Sequence, residues 1–318
     1  MNRNTIFFSL LALMLNVSAG CSGSDDDDAK PTVDDNGRRP RLLTVTEEAG
    51  ETRATLTSEN NELTAKWNNG DNVTCCNISL PNNNNSKLTA LSNAEVSQFT
   101  GTVTCVSGDN LAIVYPAGDF SFLNSDFTFR YTISLAGQDG TLETLAKNFH
   151  YVYGVATVES VTGTTANAAM AKMKSLLTVC KFSFVNKADS SPITVSSLDI
   201  CYSYDGVGGS TDSYPQSATV TASENPDDVH AIEAPSGAVG GASPSGAVGG
   251  ASPLTVRLTP PADAVYVALL PVGSSGSKRT FRFTVTASDG YTYTGKASAW
   301  LKEGGYVEAT GLKLTKTE

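Results

Sequence analysis

The sequence predicts an all-β fold of two β-sandwich domains in series. Three observations favour this fold class. Only 17% of the 318 residues are charged, whereas average globular proteins contain about 25%. Short segments of alternating apolar and polar residues recur, with turn residues about every eight to twelve positions, which gives roughly six or seven strands in each half. A chain of this length also exceeds one typical hydrophobic core.

The amino terminus carries an export signal. Arg3 precedes the apolar run Ile6 to Leu15, which is too short to cross a bilayer. Residues 1–20 are therefore expected to be cleaved. The ending Ser18-Ala19-Gly20-Cys21 resembles a bacterial lipobox, with Ser18 at the position where leucine is usual. Lipidation of Cys21 would then tether the protein to a membrane. An ordinary signal peptide followed by an accidental cysteine is the alternative.

Residues 21–37 form an acidic tether without apolar periodicity, and we expect no order there. The run Asp25 to Asp28 resembles the surface-export signal of Bacteroidetes lipoproteins. A solvated, self-repelling spacer is the alternative interpretation of this run.

The first domain is expected over residues 38–168. Its first strand covers about Leu42 to Val45, with Leu43 and Val45 on one face. The clearest alternation is Phe127, Phe129, Tyr131, Ile133 and Leu135, which indicates a strand with one buried face. Other predicted strands are Ala54–Leu56, Leu63–Trp67, Val73–Cys75, Phe99–Val106 and Leu111–Tyr115. The segments Leu142 to Phe149 and Ala166 to Lys174 have helix-forming composition, although the second lacks a strong cap.

The second domain is expected over residues 169–318, because the preceding segment, Val161 to Asn167, is small and polar. Phe281, Phe283 and Val285 should pair with Tyr291 and Tyr293 in a hairpin around Asp289-Gly290. The remaining predicted strands are Leu177–Val185, Ile193–Tyr202, Ser217–Ala222, Leu254–Leu258, Val265–Leu270, Ala297–Leu301 and Val307–Leu314.

A Gly-rich loop, residues 235–253, interrupts the second domain. Its nine residues Pro235 to Ser243 are repeated without change as Pro244 to Ser252. Two copies are too few for a solenoid and too rich in glycine to pack. We interpret the repeat as a flexible loop that was lengthened by duplication.

Charge and cysteine content restrict the partners and the chemistry. Removal of residues 1–20 takes away Arg3 alone among the charged residues, so the net charge changes from −10 to −11. A chain without a basic excess is a poor ligand for nucleic acid. An odd number of cysteines follows Cys21, with no zinc-ligand spacing. Most should be buried, with one disulfide as an open alternative, and the neighbours Cys75 and Cys76 should point to opposite faces of a strand. The others are Cys105, Cys180 and Cys201.

The sequence predicts no enzymatic activity, no cofactor and no metal site. His150 and His230 each stand alone, and neither a nucleophile elbow nor a phosphate-binding glycine loop is present. Asp71 and Asp109 follow glycines at strand entries and are interpreted as turn formers. Glycan binding on exposed aromatic rings is the competing hypothesis, with Trp67 and Trp300 as candidates, although burial in the core explains both residues at least as well.

Four segments, in this order, resemble the fimbrillin-like proteins of Bacteroidetes, the subunits of type V pili. They are Glu51–Leu56 leading to Lys66–Asp71, Asp109–Pro116, Gln138–Tyr153, and an ending from Tyr291–Gly295 through Trp300–Gly305 to Gly311–Leu314. The Gly-rich repeat is not part of that pattern. The resemblance implies two transthyretin-like β-sandwich domains and a lipoprotein that is exported to the outer membrane and the cell surface. It also implies maturation by an arginine-specific protease and assembly into a fimbria by strand exchange.

The resemblance implies roles for particular residues. The removable strand would contain Leu42, Leu43, Thr44 and Val45. Cleavage is expected between Arg53 and Ala54, because Arg39 is followed by Pro40 and because Arg38 and Arg41 are expected to precede the strand. Val307, Leu312 and Leu314 mark the candidate donor strand. If that strand is instead a fixed part of the core, the protein would sit at a pilus tip and only accept a neighbour's strand.

Two functions therefore remain open from the sequence. The first is a pilus subunit, shaft or tip adhesin, whose partners are other pilus subunits, the outer membrane through the lipid anchor, and a host protein or glycan. In the tip position, the loops Pro81 to Lys87 and 235–253 would be the adhesive surfaces. The second function is a monomeric surface lipoprotein that binds glycans.

Overall fold

The computed structural model describes residues 37–47, 55–59, 62–80, 85–123, 128–170, 173–203, 213–229, 252–271 and 278–317. Several predicted features lie outside these ranges. They are the signal peptide, Cys21, the acidic tether, Arg53, Ala54, most of the polar loop Pro81 to Lys87, Phe127, His230 and nearly all of the Gly-rich repeat.

The described residues are organised mainly as strands, with one α-helix and one short 3-10 helix. The elements of the first half are β1 (Arg39–Glu47), β2 (Thr55–Glu59), β3 (Glu62–Lys66), β4 (Asn72–Asn77), β5 (Asn85–Ala90), β6 (Gln98–Cys105), β7 (Asn110–Tyr115), β8 (Phe120–Leu123), β9 (Thr128–Ser134), α1 (Leu142–Asn148), β10 (Val152–Thr162), β11 (Thr165–Met170) and β12 (Lys174–Ser175). Those of the second half are β13 (Thr178–Asn186), β14 (Pro192–Ile193), β15 (Val195–Ser203), β16 (Ser217–Thr221), the 3-10 helix Pro226–Asp228, β17 (Leu254–Ala262), β18 (Val265–Leu269), β19 (Arg279–Ala287), β20 (Thr292–Ala299) and β21 (Tyr306–Lys316).

The first sheet closes on itself. Its strand order is β11-β1-β6-β5-β4-β7-β10-β12, and β10 also pairs with β11. Seven strands therefore form a ring in which β1 lies between β6 and β11. Leu43, Val45, Trp67, Phe99 and Ile113 belong to the core inside this ring. Among the strands that the structure describes, β2 pairs with β3 alone, as a separate hairpin.

The second sheet has the order β14-β13-β21-β20-β19-β15-β17, and β18 also pairs with β13. Its inward positions are apolar and alternate with polar outward ones. Phe182, Phe184 and Phe283 meet at the centre, with ring centroids of Phe182 and Phe283 5.2 Å apart and those of Phe184 and Phe283 5.7 Å apart. The change from the first sheet to the second falls between β12 and β13, so the expected boundary near residue 168 lies within β11.

A third, three-stranded sheet, β16-β9-β8, joins sequence from the two halves, because β16 pairs with β9. The buried side chain of Gln138 makes another connection. Its Nε2 donates to the carbonyl oxygens of Leu135 (3.1 Å) and Ala268 (3.0 Å), and its Oε1 accepts from the backbone N–H of Ala268 (2.7 Å). This amide therefore ties the segment before α1 to strand β18.

The predicted fold class is confirmed: the structure is all-β, with two β-rich domains. In β9, Phe129, Tyr131 and Ile133 are buried while Thr132 and Ser134 are exposed, as the alternation predicts. The hairpin is also confirmed, with Val285 opposite Tyr293 and Gly290 at a φ of 85°. The helix predicted over Leu142 to Phe149 forms as α1, and its N-cap Thr141 accepts from the backbone N–H of Thr144.

The helix considered for Ala166 to Lys174 is wrong, because this segment forms β11 and β12. Alternate residues Ala166, Ala168 and Met170 are buried between β1 and β10, while Thr165 and Asn167 are exposed. Pairing with two neighbouring strands outweighs the weak helix propensity of the alanines.

Cys75 and Cys76 point to opposite faces of β4, as predicted, and each enters a different core. Cys75 lies inside the first sheet with Leu43 and Trp67, whereas Cys76 packs with Phe120 and Tyr153 on the other side. The cysteines in the described part of the chain are free thiols.

Replacing Phe283 by alanine should unfold the second domain at a lower denaturant concentration. Phe283 is 2% exposed, and its phenyl ring contacts those of Phe182 and Phe184. Loss of such a buried ring lowers the free energy of unfolding by about 3–5 kcal/mol. The matched control is Thr284→Ala, on the exposed face of the same strand, with an expected change below about 1 kcal/mol. Urea denaturation followed by circular dichroism measures both. Equal midpoint shifts in the two variants would contradict the assigned orientation of β19.

Candidate functional site

Strand β1 is hydrogen-bonded along both of its edges. It runs antiparallel to β6, with partners from Arg39 opposite Cys105 to Thr46 opposite Gln98. On its other edge it runs parallel to β11, from Leu42 opposite Thr165 to Glu47 opposite Met170. The sequence element predicted to be removable is thus an interior strand of the first sheet.

Alternate side chains of β1 enter the core of the first domain. Leu43 and Val45 are 0% exposed, whereas Leu42 is 53% exposed on the opposite face. Trp67 lies in the same core, where its ring meets those of Phe99 and Tyr115 edge-on at centroid distances of 4.9 and 5.4 Å. The strand therefore fills a cavity that aromatic and branched side chains line.

Three arginines form hydrogen bonds that hold the beginning of β1 in place. The guanidinium of Arg38 donates to both carboxylate oxygens of Asp109, with the closest contact between Nη2 and Oδ1 at 2.7 Å. The buried Arg41 donates from Nε to the carbonyl oxygen of Cys105 (3.1 Å) and from Nη1 to that of Gly163. Arg39 also donates to the Gly163 carbonyl, at 2.9 Å. Arg38, Arg39 and Arg41 together form what we call the arginine clamp.

Asp109 is held in its ionised form by its neighbours. Burial raises the pKa of this carboxyl, but hydrogen bonds from Arg38, from the backbone N–H of Val106 and from Asn77 Nδ2 outweigh burial and bring the pKa below its ordinary value. Asp109 is therefore the turn former that the sequence predicts and also the counter-ion of β1.

A buried hydrogen bond fixes the other end of β1. The indole Nε1 of Trp67 donates to Oε2 of Glu47 at 2.9 Å. A buried carboxylate is normally paired or hydrogen-bonded, because burying it alone is unfavourable. Glu47 and Trp67 therefore fix the register of β1 at this end, as the arginine clamp does at the start.

The expected extent of β1 needs a correction. The prediction placed Arg41 before a strand covering about Leu42 to Val45, but β1 begins at Arg39 and ends at Glu47. The alternation Arg41, Leu43, Val45, Glu47 carried this information, since all four are buried. Charged residues at both ends obscured it, because a hydrophobicity pattern counts them as outward-facing. Arg53 and Ala54 lie between described segments, and Cys21 precedes the first of them.

Strand β21 holds the three residues of the candidate donor strand. It pairs in parallel with β13 from Tyr306 to Leu314, with a bulge at Gly311, and Leu314 is buried. Val307 and Leu312 are half-buried against the core. The ladder between β21 and β20 consists of two pairs only, Tyr293–Lys316 and Thr294–Thr315. One edge of β21 is therefore firmly paired, and the other is paired only near its end.

The two tryptophans differ. Trp67 is 0% exposed, so the core interpretation holds for it, whereas Trp300 is 55% exposed with Lys278 Nζ 5.6 Å from its ring centroid. His150 is buried, with Nε2 3.5 Å from Ser175 Oγ.

The cysteine environments suppress thiolate formation. Burial raises the pKa of Cys105 to about 11 and that of Cys76 to about 12, and it raises the pKa values of Cys75 and Cys180 further. In the ranges given above for the structure, histidine, cysteine, aspartate and glutamate form no cluster of three or more that could hold a metal ion. Within those same ranges, the helices are too short or too polar to cross a membrane.

The sequence matches no family model and no curated protein. The fold is similar to that of a solved protein from Bacteroides uniformis that is described as a candidate cell adhesion protein, with a TM-score of 0.50, 15% identity, and coverage of 89% of this chain and 97% of that chain. A second candidate cell adhesion protein, from Bacteroides ovatus, gives a TM-score of 0.45 at 15% identity over 88% of this chain and 97% of its own. At 15% identity, the likeness to the Bacteroides uniformis protein concerns the fold alone.

Proposed function

We propose that this protein is a fimbrillin-like pilus subunit that is exported as a lipoprotein and assembles by protease-triggered strand exchange. The observation that carries the proposal is the position of β1. It is an interior strand, yet its two neighbours remain joined without it, because β11 also pairs with β10. Loss of β1 would therefore open a slot in the first domain and leave the other strands of the sheet in one piece.

The slot would be a strong acceptor for another strand. It would expose the unpaired edges of β6 and β11 and the apolar sites that Leu43 and Val45 occupy. Unpaired edges over an apolar groove favour addition of an extended segment, with backbone bonds giving affinity and side-chain pockets giving register. The bond from Trp67 to Glu47 and the contacts of the arginine clamp would need new partners.

Cleavage between Arg53 and Ala54 suits this arrangement. Arg39 and Arg41 lie within β1, and Arg38 is bound to Asp109, so these arginines are held in the folded domain. A cut at Arg53 would leave β1 connected to the lipid anchor at Cys21, and β2 would begin just after the new amino terminus. The mature subunit would then leave the outer membrane and enter a fimbria on the cell surface.

We also propose that β21 is the donor, since one of its edges shares only two pairs with β20. Val307, Leu312 and Leu314 supply the alternating apolar side chains that a slot shaped by Leu43 and Val45 requires. The partners would be other subunits of the same or a related kind. The description of the Bacteroides uniformis protein as a candidate cell adhesion protein agrees with a role in cell adhesion. We propose that this chain is not an enzyme.

A monomeric glycan-binding lipoprotein is the second candidate function. One observation favours it: the exposed ring of Trp300 is available for stacking, whereas Trp67 is not. Two results together would select this function over pilus assembly. The protein would form no oligomers in cells, and Trp300→Ala would abolish its binding to polysaccharide.

Replacing Arg53 by lysine should stop maturation. An arginine-specific protease does not cut after lysine, so the surface form should keep its anchor and start at Cys21 instead of Ala54. The ladder of heat-labile oligomers in whole-cell extracts should disappear. Amino-terminal sequencing and unheated gels measure the two effects, with Arg257→Lys, in the exposed position of β17, as the matched control. A start at Ala54 in the Arg53→Lys protein would refute this cleavage site.

Weakening β1 should speed up exchange once the chain is cut. Leu43→Ala removes a fully buried side chain and should destabilise the strand by about 2–5 kcal/mol. Leu42→Ala, in the adjacent and exposed position, should change stability by less than about 0.5 kcal/mol. The measurement is the rate of oligomer formation after the full chain is treated with an arginine-specific protease. Indistinguishable rates for the two variants would mean that departure of β1 does not limit assembly.

Fixing β21 to β13 should block donation. Val185 and Lys313 are register partners in the parallel ladder, so the pair Val185→Cys with Lys313→Cys can be oxidised to hold the strand. Oligomers should then form only under reducing conditions. The control pair, Thr284→Cys with Thr294→Cys, joins β19 to β20 and should have no effect. If the oxidised double-cysteine variant of Val185 and Lys313 still forms the full series of oligomers, β21 would be a fixed strand and the subunit would sit at a pilus tip.

A further inference from the structure

The outer face of the second sheet contains a cleft of about 610 Å³ between strands β15, β19 and β20. Its lining includes the charged residues Asp199, Arg282 and Lys296 and the polar residues Cys201, Thr284 and Thr294. We propose that this cleft binds a sugar that carries one carboxylate or sulfate group. The site is separate from β1 and does not depend on removal of that strand.

The strand register aligns the cleft residues in two rows. Cys201 lies opposite Arg282, and Arg282 lies opposite Lys296, which forms a row across three strands. The next row outward consists of Asp199, Thr284 and Thr294. Their sequence neighbours Ile200 and Phe283 point the other way, into the core. Because successive side chains of a strand alternate between faces, the core fixes the outward direction of both rows.

The cleft is basic in a protein of net charge −10. Arg282 and Lys296 line it, and the exposed Lys313 lies on β21, two residues before the Thr315 that pairs with Thr294. A guanidinium presents planar paired donors that match carboxylate or sulfate oxygens, and a nearby ammonium adds a point charge. This local charge has the sign that attracts an anionic ligand against the field of the whole chain.

Asp199 narrows the chemistry of the ligand. One of its oxygens, Oδ1, accepts from the Thr255 hydroxyl at 2.6 Å, which fixes the carboxylate at the edge of the cleft. A fixed carboxylate can accept hydrogen bonds from sugar hydroxyls, but it repels inorganic polyanions and runs of aspartate. The cationic side chains of Arg282 and Lys296 lie beside the acceptor Asp199. This combination suits a ligand that carries both an anionic group and hydroxyl donors. An acidic sugar has this combination.

Size and surface agree with this assignment. Small-molecule sites in proteins usually have volumes of about 300–1,000 Å³. Thr284 and Thr294 add hydroxyl groups that can donate or accept. Phe283 borders the cleft but is only 2% exposed, so the cleft offers no aromatic ring for stacking. Recognition would therefore depend on charge and hydrogen bonds, which favours an acidic sugar over a neutral one.

The test is equilibrium binding of three sugars to the full-length chain by titration calorimetry: 3'-sialyllactose, galactose 6-sulfate and lactose. The two acidic sugars distinguish a carboxylate from a sulfate ligand. At least one of them should bind on the order of tenfold more tightly than lactose, since the free energy of one hydrogen bond to a charged group corresponds to about a tenfold change in affinity. Its affinity should fall as salt is raised from about 50 to 150 mM, because partly exposed charges are screened.

Variants locate the binding. Arg282→Gln together with Lys296→Gln should weaken binding of the acidic sugar by at least about tenfold. Lys296→Gln alone changes only an exposed side chain, and it keeps the test informative if the double variant is unstable. Arg257→Gln, an exposed arginine of the same sheet outside the cleft, is the matched control and should bind as the native protein does.

Four results would overturn the proposal. They are equal binding of lactose, unchanged affinity in both cleft variants, equally tight binding of inorganic sulfate, and preferential binding of a tetra-aspartate peptide. None of them bears on oligomer formation, so failure here is distinguishable from failure of the strand-exchange proposal.

Discussion

The double ladder of β1 is the constraint on which the first domain depends. A ring of strands has no free edge, and β1 is the member that joins β6 to β11. The contacts of its charged side chains lie at its two ends. The arginine clamp contacts Asp109, Cys105 and Gly163 at the start, and Glu47 accepts from Trp67 at the end. Between them, Leu43 and Val45 complete the core. Apolar burial supplies affinity, and the charged ends allow one register, because a shift by one residue would turn every buried side chain outward.

The same contacts explain why a covalent cut would be needed for exchange. While β1 is part of the chain, its effective concentration at the slot is far above that of any strand from another molecule. Buried charge pairs add a penalty when only one partner leaves, since the buried Asp109 would lose the Arg38 guanidinium that helps to hold its pKa below the ordinary value. Severing the connection changes the competition into one between two separate strands. A strand with the same inward pattern can then replace β1 at little net loss of backbone bonds.

The sequence predicts the local features well and the pairing poorly. The alternation of Phe129, Tyr131 and Ile133, the Asp289-Gly290 turn and helix α1 each depend on neighbours along the chain, and all three are confirmed. The failures involve distant partners. Strand β11 is rich in alanine and is stabilised by β1 and β10, and the arginine clamp requires Asp109, which is 71 residues from Arg38. The basic cleft depends on the register of three strands, so Arg282 and Lys296 show no common motif in the sequence.

The slot that β1 fills and the cleft lie on different sheets, so removal of β1 is separate from binding in the cleft. Strands β15, β19 and β20 make no ladder with β1, β6 or β11. Exchange of β1 would therefore leave the rows around Arg282 and Lys296 unchanged. A polymer of such subunits would display one cleft per copy at a regular spacing. Sites that recognise a single charged sugar through a few hydrogen bonds are individually weak, and linking many of them increases overall binding without any new contact. Strand exchange would then supply the valency that a shallow, charge-based site needs for adhesion.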